Sequence, residues 1–152
     1  MATSFLGELM TATHNFGVAP IRAATTADTF KAALYLASAT VNAATTAYSA
    51  TGEVTGTGYT AGGVTVTNAT APASTNSSAT AGVGYWTPSA SFVYTTVTLS
   101  TAFDAVLVYN STQSNKAVSV HTFGSQTITA GTFTLTMPSN TTTTALLRLA
   151  TT

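Results

Sequence analysis

The chain has 152 residues, four basic and four acidic side chains and a formal net charge of zero; charged residues make up 5% of it, against roughly a quarter in ordinary soluble domains. That scarcity argues against a nucleic-acid binder, which needs several Lys or Arg to displace counterions from phosphates. The absence of cysteine excludes disulfides and thiolate metal sites. The length suits one domain with one substantial core, and a neutral surface gives copies little mutual repulsion.

Taken in order, the chain opens on Met-Ala-Thr-Ser-Phe-Leu-Gly-Glu, which has neither a basic region nor a long apolar core and so does not read as a signal peptide. No apolar run approaches the roughly 20 residues of a membrane-spanning helix. Residues 4–16 suit a short helix with Ser4 as N-cap and Phe5, Leu9, Ala12 and Phe16 on one side; an extended arm is the alternative. Gly17 to Ala27, with Pro20, is a connection. Thr29 to Ala37 is the first firm strand, with Phe30, Ala32, Leu34 and Leu36 on one face. Residues 38–52 lack strong periodicity. From Gly52 glycines mark turns, and Gly62-Gly63 precedes the alternating strand Val64 to Thr67 as a turn or bulge. Residues 69–81 suit a surface loop, and the only tryptophan, Trp86, follows beside Tyr85.

Ser91 to Pro138 is expected to hold three or four strands end to end. Phe103 to Asn110 is apolar on both faces, as a central strand would be. The polar segment Asn110 to Lys116 reads as a hairpin loop before Val118, Val120 and Thr122. Phe133, Leu135 and Met137 alternate with threonines, whose β-branch suits a pleated surface. A turn from Ser139 to Thr144 leads to a last strand in which Arg148 faces out. About eight short strands with polar turns predict an all-β fold, a β-sandwich with a jelly roll among the arrangements, carrying a short N-terminal helix or arm. The expected boundaries are an arm and connection over residues 1–27 and a sandwich over 28–152.

No reactive constellation emerges. His14 and His121 are the only histidines, and neither pairs with Glu8, Asp28, Glu53 or Asp104 at a ligand spacing. A triad from His121, Asp104 and a serine lacks the Gly-x-Ser-x-Gly elbow. The glycines around Gly56 and Gly62 lack the Walker lysine and suit turns. The reading is therefore a non-enzyme, without cofactor or metal. Tyr59, Tyr85 and Trp86 are candidate exposed aromatics for sugar stacking or protein contact, although a lone Trp in such a fold is more often core. Phe5, Leu6, Leu9 and Phe16 are candidate partner contacts, with packing onto the chain's own sheet as the alternative.

Several segments together resemble a family of small tailed-bacteriophage virion proteins: Asp28 to Tyr35, Glu53 to Gly63, Leu107 to Val118, Phe123-Gly124 ahead of Ala130 to Phe133, Met137-Pro138 and Leu147 to Ala150. The likeness runs from about residue 5 to 150, and the Ala/Ser/Thr-rich segment 69–81 departs from it. The resemblance implies a structural role in the virion, assembled in the host cytoplasm, with no activity or cofactor. One expectation is a capsid decoration (cement) protein, a homo-oligomer such as a trimer, binding between subunits of the phage major capsid protein or other virion proteins, without nucleic-acid or membrane partners. The alternative is a tail or fibre-tip module that binds host glycan.

Overall fold

The computed structural model describes residues 1–10, 13–16, 27–68, 71–75 and 82–150. Within them lie one helix, α1 (Thr3–Met10), and seven strands: β1 (Phe30–Leu36), β2 (Val64–Thr65), β3 (Ala73–Ser74), β4 (Val83–Trp86), β5 (Phe92–Asn110), β6 (Lys116–Leu135) and β7 (Leu147–Ala150). They form two antiparallel sheets, a four-stranded one in the order β2-β1-β5-β6 and a three-stranded one in the order β3-β4-β7. The fold is all-β with one short helix.

The expected run of three or four central strands is in fact two, of 19 and 20 residues, closed by a turn over 111–115. Small and polar interruptions do not end these strands. They are absorbed as bulges, with register shifts around Tyr94/Val97, Val97/Leu99 and Leu99/Phe103. Thr96 and Ala130 take positive φ at two of these places, 53° and 45°. The part of β5 apolar on both faces, Phe103 to Asn110, lies between β1 and β6, and Ala105 to Asn110 is buried throughout. β1 is also buried on both faces, because Ala33 and Tyr35 join Phe30, Ala32 and Leu34 in the core. The strand expected over Val64 to Thr67 shortens to two residues. Arg148 faces out as expected.

The N-terminal helix is shorter than residues 4–16, and its start differs. Ala2 is fully buried, its N–H donates to the Val118 carbonyl at 2.9 Å, and the Thr3 N–H donates to the Ala43 carbonyl at 2.9 Å. These two bonds fix the helix start at Thr3, with Ala2 rather than Ser4 at the cap position, so Ser4 lies inside the first turn. Its Oγ is buried with no hydrogen-bond partner among the described residues. Phe5 faces the core with Leu9 packed beside it, and Phe16 reaches the same core from outside the helix. Ala12, the connection 17–26 and most of the loop expected over 69–81 lie outside the described residues.

Gly63 is the tightest backbone crossing. Its φ is +74°, and a Cβ there would sit 1.8 Å from the Ala32 carbonyl oxygen. Only glycine fits where β2 turns onto β1. Gly63→Ala is expected to lower the unfolding free energy by at least about 2 kcal/mol. Gly84→Ala, whose Cβ would meet nothing closer than 3.9 Å, should stay within about 0.5 kcal/mol; urea denaturation of the two variants measures the contrast.

Candidate functional site

Acidic side chains are rare here, and Glu53 and Asp28 are both buried. Burying a carboxylate costs several kcal/mol unless donors surround it, so these residues mark where the chain organises polar groups. Glu53 is 6% exposed. Its Oε1 accepts from the Tyr59 hydroxyl at 2.7 Å and the Gly62 N–H at 2.7 Å, and its Oε2 accepts from the Tyr48 hydroxyl at 2.6 Å. The Tyr59 hydroxyl in turn accepts the Leu34 N–H at 3.0 Å, and Tyr35 bridges to Glu53 through the backbone. One carboxylate thus ties the segment 48–62 to β1. Burial first, then the Glu53 carboxylate, raises the pKa of the Tyr48 and Tyr59 hydroxyls, which stay neutral donors. Tyr109, stacked on Tyr48 at 4.6 Å, is pushed up to about 12 by burial and by Glu53.

A second cluster joins the N-terminal segment to the β5–β6 turn. Asn110 is fully buried. Its Nδ2 donates to Asp28 Oδ2 at 2.8 Å and to His14 Nδ1 at 3.0 Å, while its Oδ1 accepts the N–H groups of Thr112 and Gln113 at 3.1 and 3.2 Å. Asp28 also accepts from the Asn15 N–H at 2.8 Å and from Gln113 Nε2 at 3.2 Å. Glu8 accepts from His14 Nε2 at 2.8 Å and from Lys116 Nζ at 2.9 Å. These are structural bonds. Among the described residues no three His, Asp or Glu side chains converge as a metal site.

The candidate residues separate. Trp86, expected among the exposed aromatics, is 2% exposed and packs on Phe16 and Phe30 at ring distances of 4.7 and 6.2 Å, with its Nε1 donating to Asn68 Oδ1. Aromatic packing and a satisfied indole N–H explain why it belongs to the core. Tyr59 is half-buried, with its hydroxyl committed to Glu53. Tyr85, also half-buried, lines an apolar groove of about 140 Å³ with Met1, Leu9, Pro72 and Leu149. Of the candidate contacts Phe5, Leu6, Leu9 and Phe16, the two phenylalanines are buried at 2% and 5% and offer little surface to a neighbour. Leu9 is half-buried and Leu6 is exposed, because it falls off the helix face that Phe5 and Leu9 share.

Sequence reasoning missed the outer edge of β6. β6 ends the sheet order, and among the described residues only its start is covered, by Ala2 N–H on the Val118 carbonyl and Ala117 N–H on the Thr46 carbonyl. From Ser119 onward no backbone bond to an element other than β5 occurs among the described residues. Ala117 to Leu135 contains no proline and no Asp, Glu, Lys or Arg. Its outer half is exposed; Phe123 and Phe133, which pack on Phe103, are only half-buried, as are Ile128 and Leu135. Natural sheets usually blunt an edge with charge or proline; here bulges alone do so. The missing charge was visible in the sequence, but the strand's place at the margin was not.

Comparison with known protein families, curated proteins and solved structures gives no match. The virion resemblance therefore rests on the residues quoted for it.

Glu53→Gln keeps the shape but loses one acceptor and turns an amide N–H₂ toward donors. It is expected to destabilise by about 2–3 kcal/mol, and Tyr48→Phe, which removes one bond, by about 1 kcal/mol, both read by thermal and urea unfolding.

Proposed function

We propose that the protein is a non-enzymatic structural component of a tailed-phage virion, a β-sandwich that decorates the head by binding between major capsid subunits and associates with its own copies. The observation that carries this reading is the open, uncharged margin of β6 on a chain with zero net charge. A strand edge with unpaired N–H and C=O groups pairs with another strand, and neutral copies approach without repulsion. Binding that occurs only on the assembled shell stabilises the shell by linkage. The sandwich is supported by Trp86 and Leu147, which bring the three-stranded sheet into the same buried cluster as Phe30 and Leu107. The tail or fibre-tip reading keeps little of its aromatic patch, since Trp86 is core and the Tyr59 hydroxyl is committed.

Quantitative mass spectrometry of purified virions tests the assignment. A copy number matching the many equivalent lattice sites supports decoration; a handful of copies supports the tail, and absence from particles ends both. Thr132→Lys with Thr134→Lys, both exposed on β6, is expected to weaken self-association in sedimentation velocity without lowering thermal stability.

A further inference from the structure

The hydrogen-bond pattern at His14 assigns its protonation state. Asn110 uses both amide hydrogens, on Asp28 and on His14 Nδ1, and both Oδ1 lone pairs, on Thr112 and Gln113. Nδ1 must therefore be bare, and the ring proton sits on Nε2, donated to Glu8. A second proton, arriving from solvent at Nδ1, would set N–H against N–H. Asn110 cannot rotate to relieve this: the flip would turn Nδ2 toward two backbone N–H donors and take the donor away from Asp28. The ring has no exposed side-chain surface and packs against Phe5, Phe16 and Phe30 at centroid distances of 4.9, 6.0 and 6.3 Å. Opening is the remaining way to accept the proton.

We propose that α1 and residues 13–16 form an acid-operated latch: protonation of His14 breaks its bond with Asn110, releases α1 and the segment 13–16 from the β5–β6 turn, and uncovers Phe5, Phe16 and Trp86. Among the described residues, the charged groups around the ring are Glu8 on α1, Asp28 ahead of β1 and Lys116 on β6. Burial lowers the pKa of His14 and outweighs the raising pull of Glu8 and Asp28, with Lys116 acting in the same direction as burial. A group held below its ordinary value in the docked state stabilises docking above that value, near 6.5 for imidazole, and loses the contribution as pH falls below it. Glu8 does not share the window. Burial pushes it up, but its bonds to Lys116 and His14 win and hold it below the usual carboxylate range, so it stays ionised while His14 titrates. The latch is independent of the virion reading.

His121 is pushed down to about 4, by burial and then by the terminal amino group, and would titrate with the same sign. The test therefore uses the full chain carrying His121→Gln. Nitrogen-15 NMR at about pH 7.5 should show His14 neutral with its proton on Nε2. As pH falls towards about 5, amide-exchange protection of α1, corrected for intrinsic exchange, should drop about tenfold per unit below 6.5 while the core of β5 and β6 stays protected. Trp86, packed against Phe16, should shift its emission to the red over the same range. Adding His14→Gln should abolish both responses. A proton on Nδ1 at neutral pH, protection of α1 that is flat across the window, or loss of protection in α1 together with β5 and β6 would each overturn the latch. If His14→Gln does not fold, the tautomer and the exchange profile of the His121→Gln chain decide alone.

Discussion

Taking a carboxylate out of water is costly enough to reorganise everything near it, and the buried carboxylate of Glu53 does this here. Three donors from residues 48, 59 and 62 converge on it, and one of them passes the constraint on to the Leu34 N–H of β1. The segment so held lies along β5, where Thr57 pairs with Thr98 and Gly56 approaches the Thr98 carbonyl too closely for any larger residue. This support matters because β5 and β6 run well past the end of β1: Phe103 is the last residue of that end of β5 to pair with β1, and Phe92 to Ala102 pairs with β6. A two-stranded ribbon is marginal in water, so the covering segment and the Phe103, Phe123, Phe133 and Tyr94 rings give it a third layer.

At the other end of the hairpin the solution is different. There Asn110, a neutral residue, is the hub, with both sides of its amide saturated. Its bonds reach across 82 and 96 positions of sequence, to Asp28 and His14. The N-terminal segment is thereby part of the domain's core rather than an appendage, since Ala2, Phe5 and Phe16 share one buried cluster with Phe30 and Trp86.

The two ends also differ in how legible they were. The period-two pattern at Phe103 to Asn110 identified a strand covered on both sides, and the polar run after it identified the turn, because alternation and turn chemistry are local. The strand count was misread because residue type alone does not show that positions such as Thr96 and Ala130, which take positive φ, are carried inside a continuous strand as bulges when a partner strand pairs on either side. The helix start was misread for a similar reason: Ser4 is a good cap by residue type, but the backbone bonds of Ala2 and Thr3 to Val118 and Ala43 set the entry point. Trp86 carried two readings in sequence, and only the positions of Phe16 and Phe30 chose between them.

By itself the sequence determined composition-level physics: an uncharged, threonine-rich chain whose alternating apolar residues must form sheets and whose surface carries almost no electrostatic field. Tertiary structure alone decided which of the few charges are buried and which strand stands at the margin. Both depend on residues far apart in sequence meeting in space, and local periodicity carries no record of those meetings.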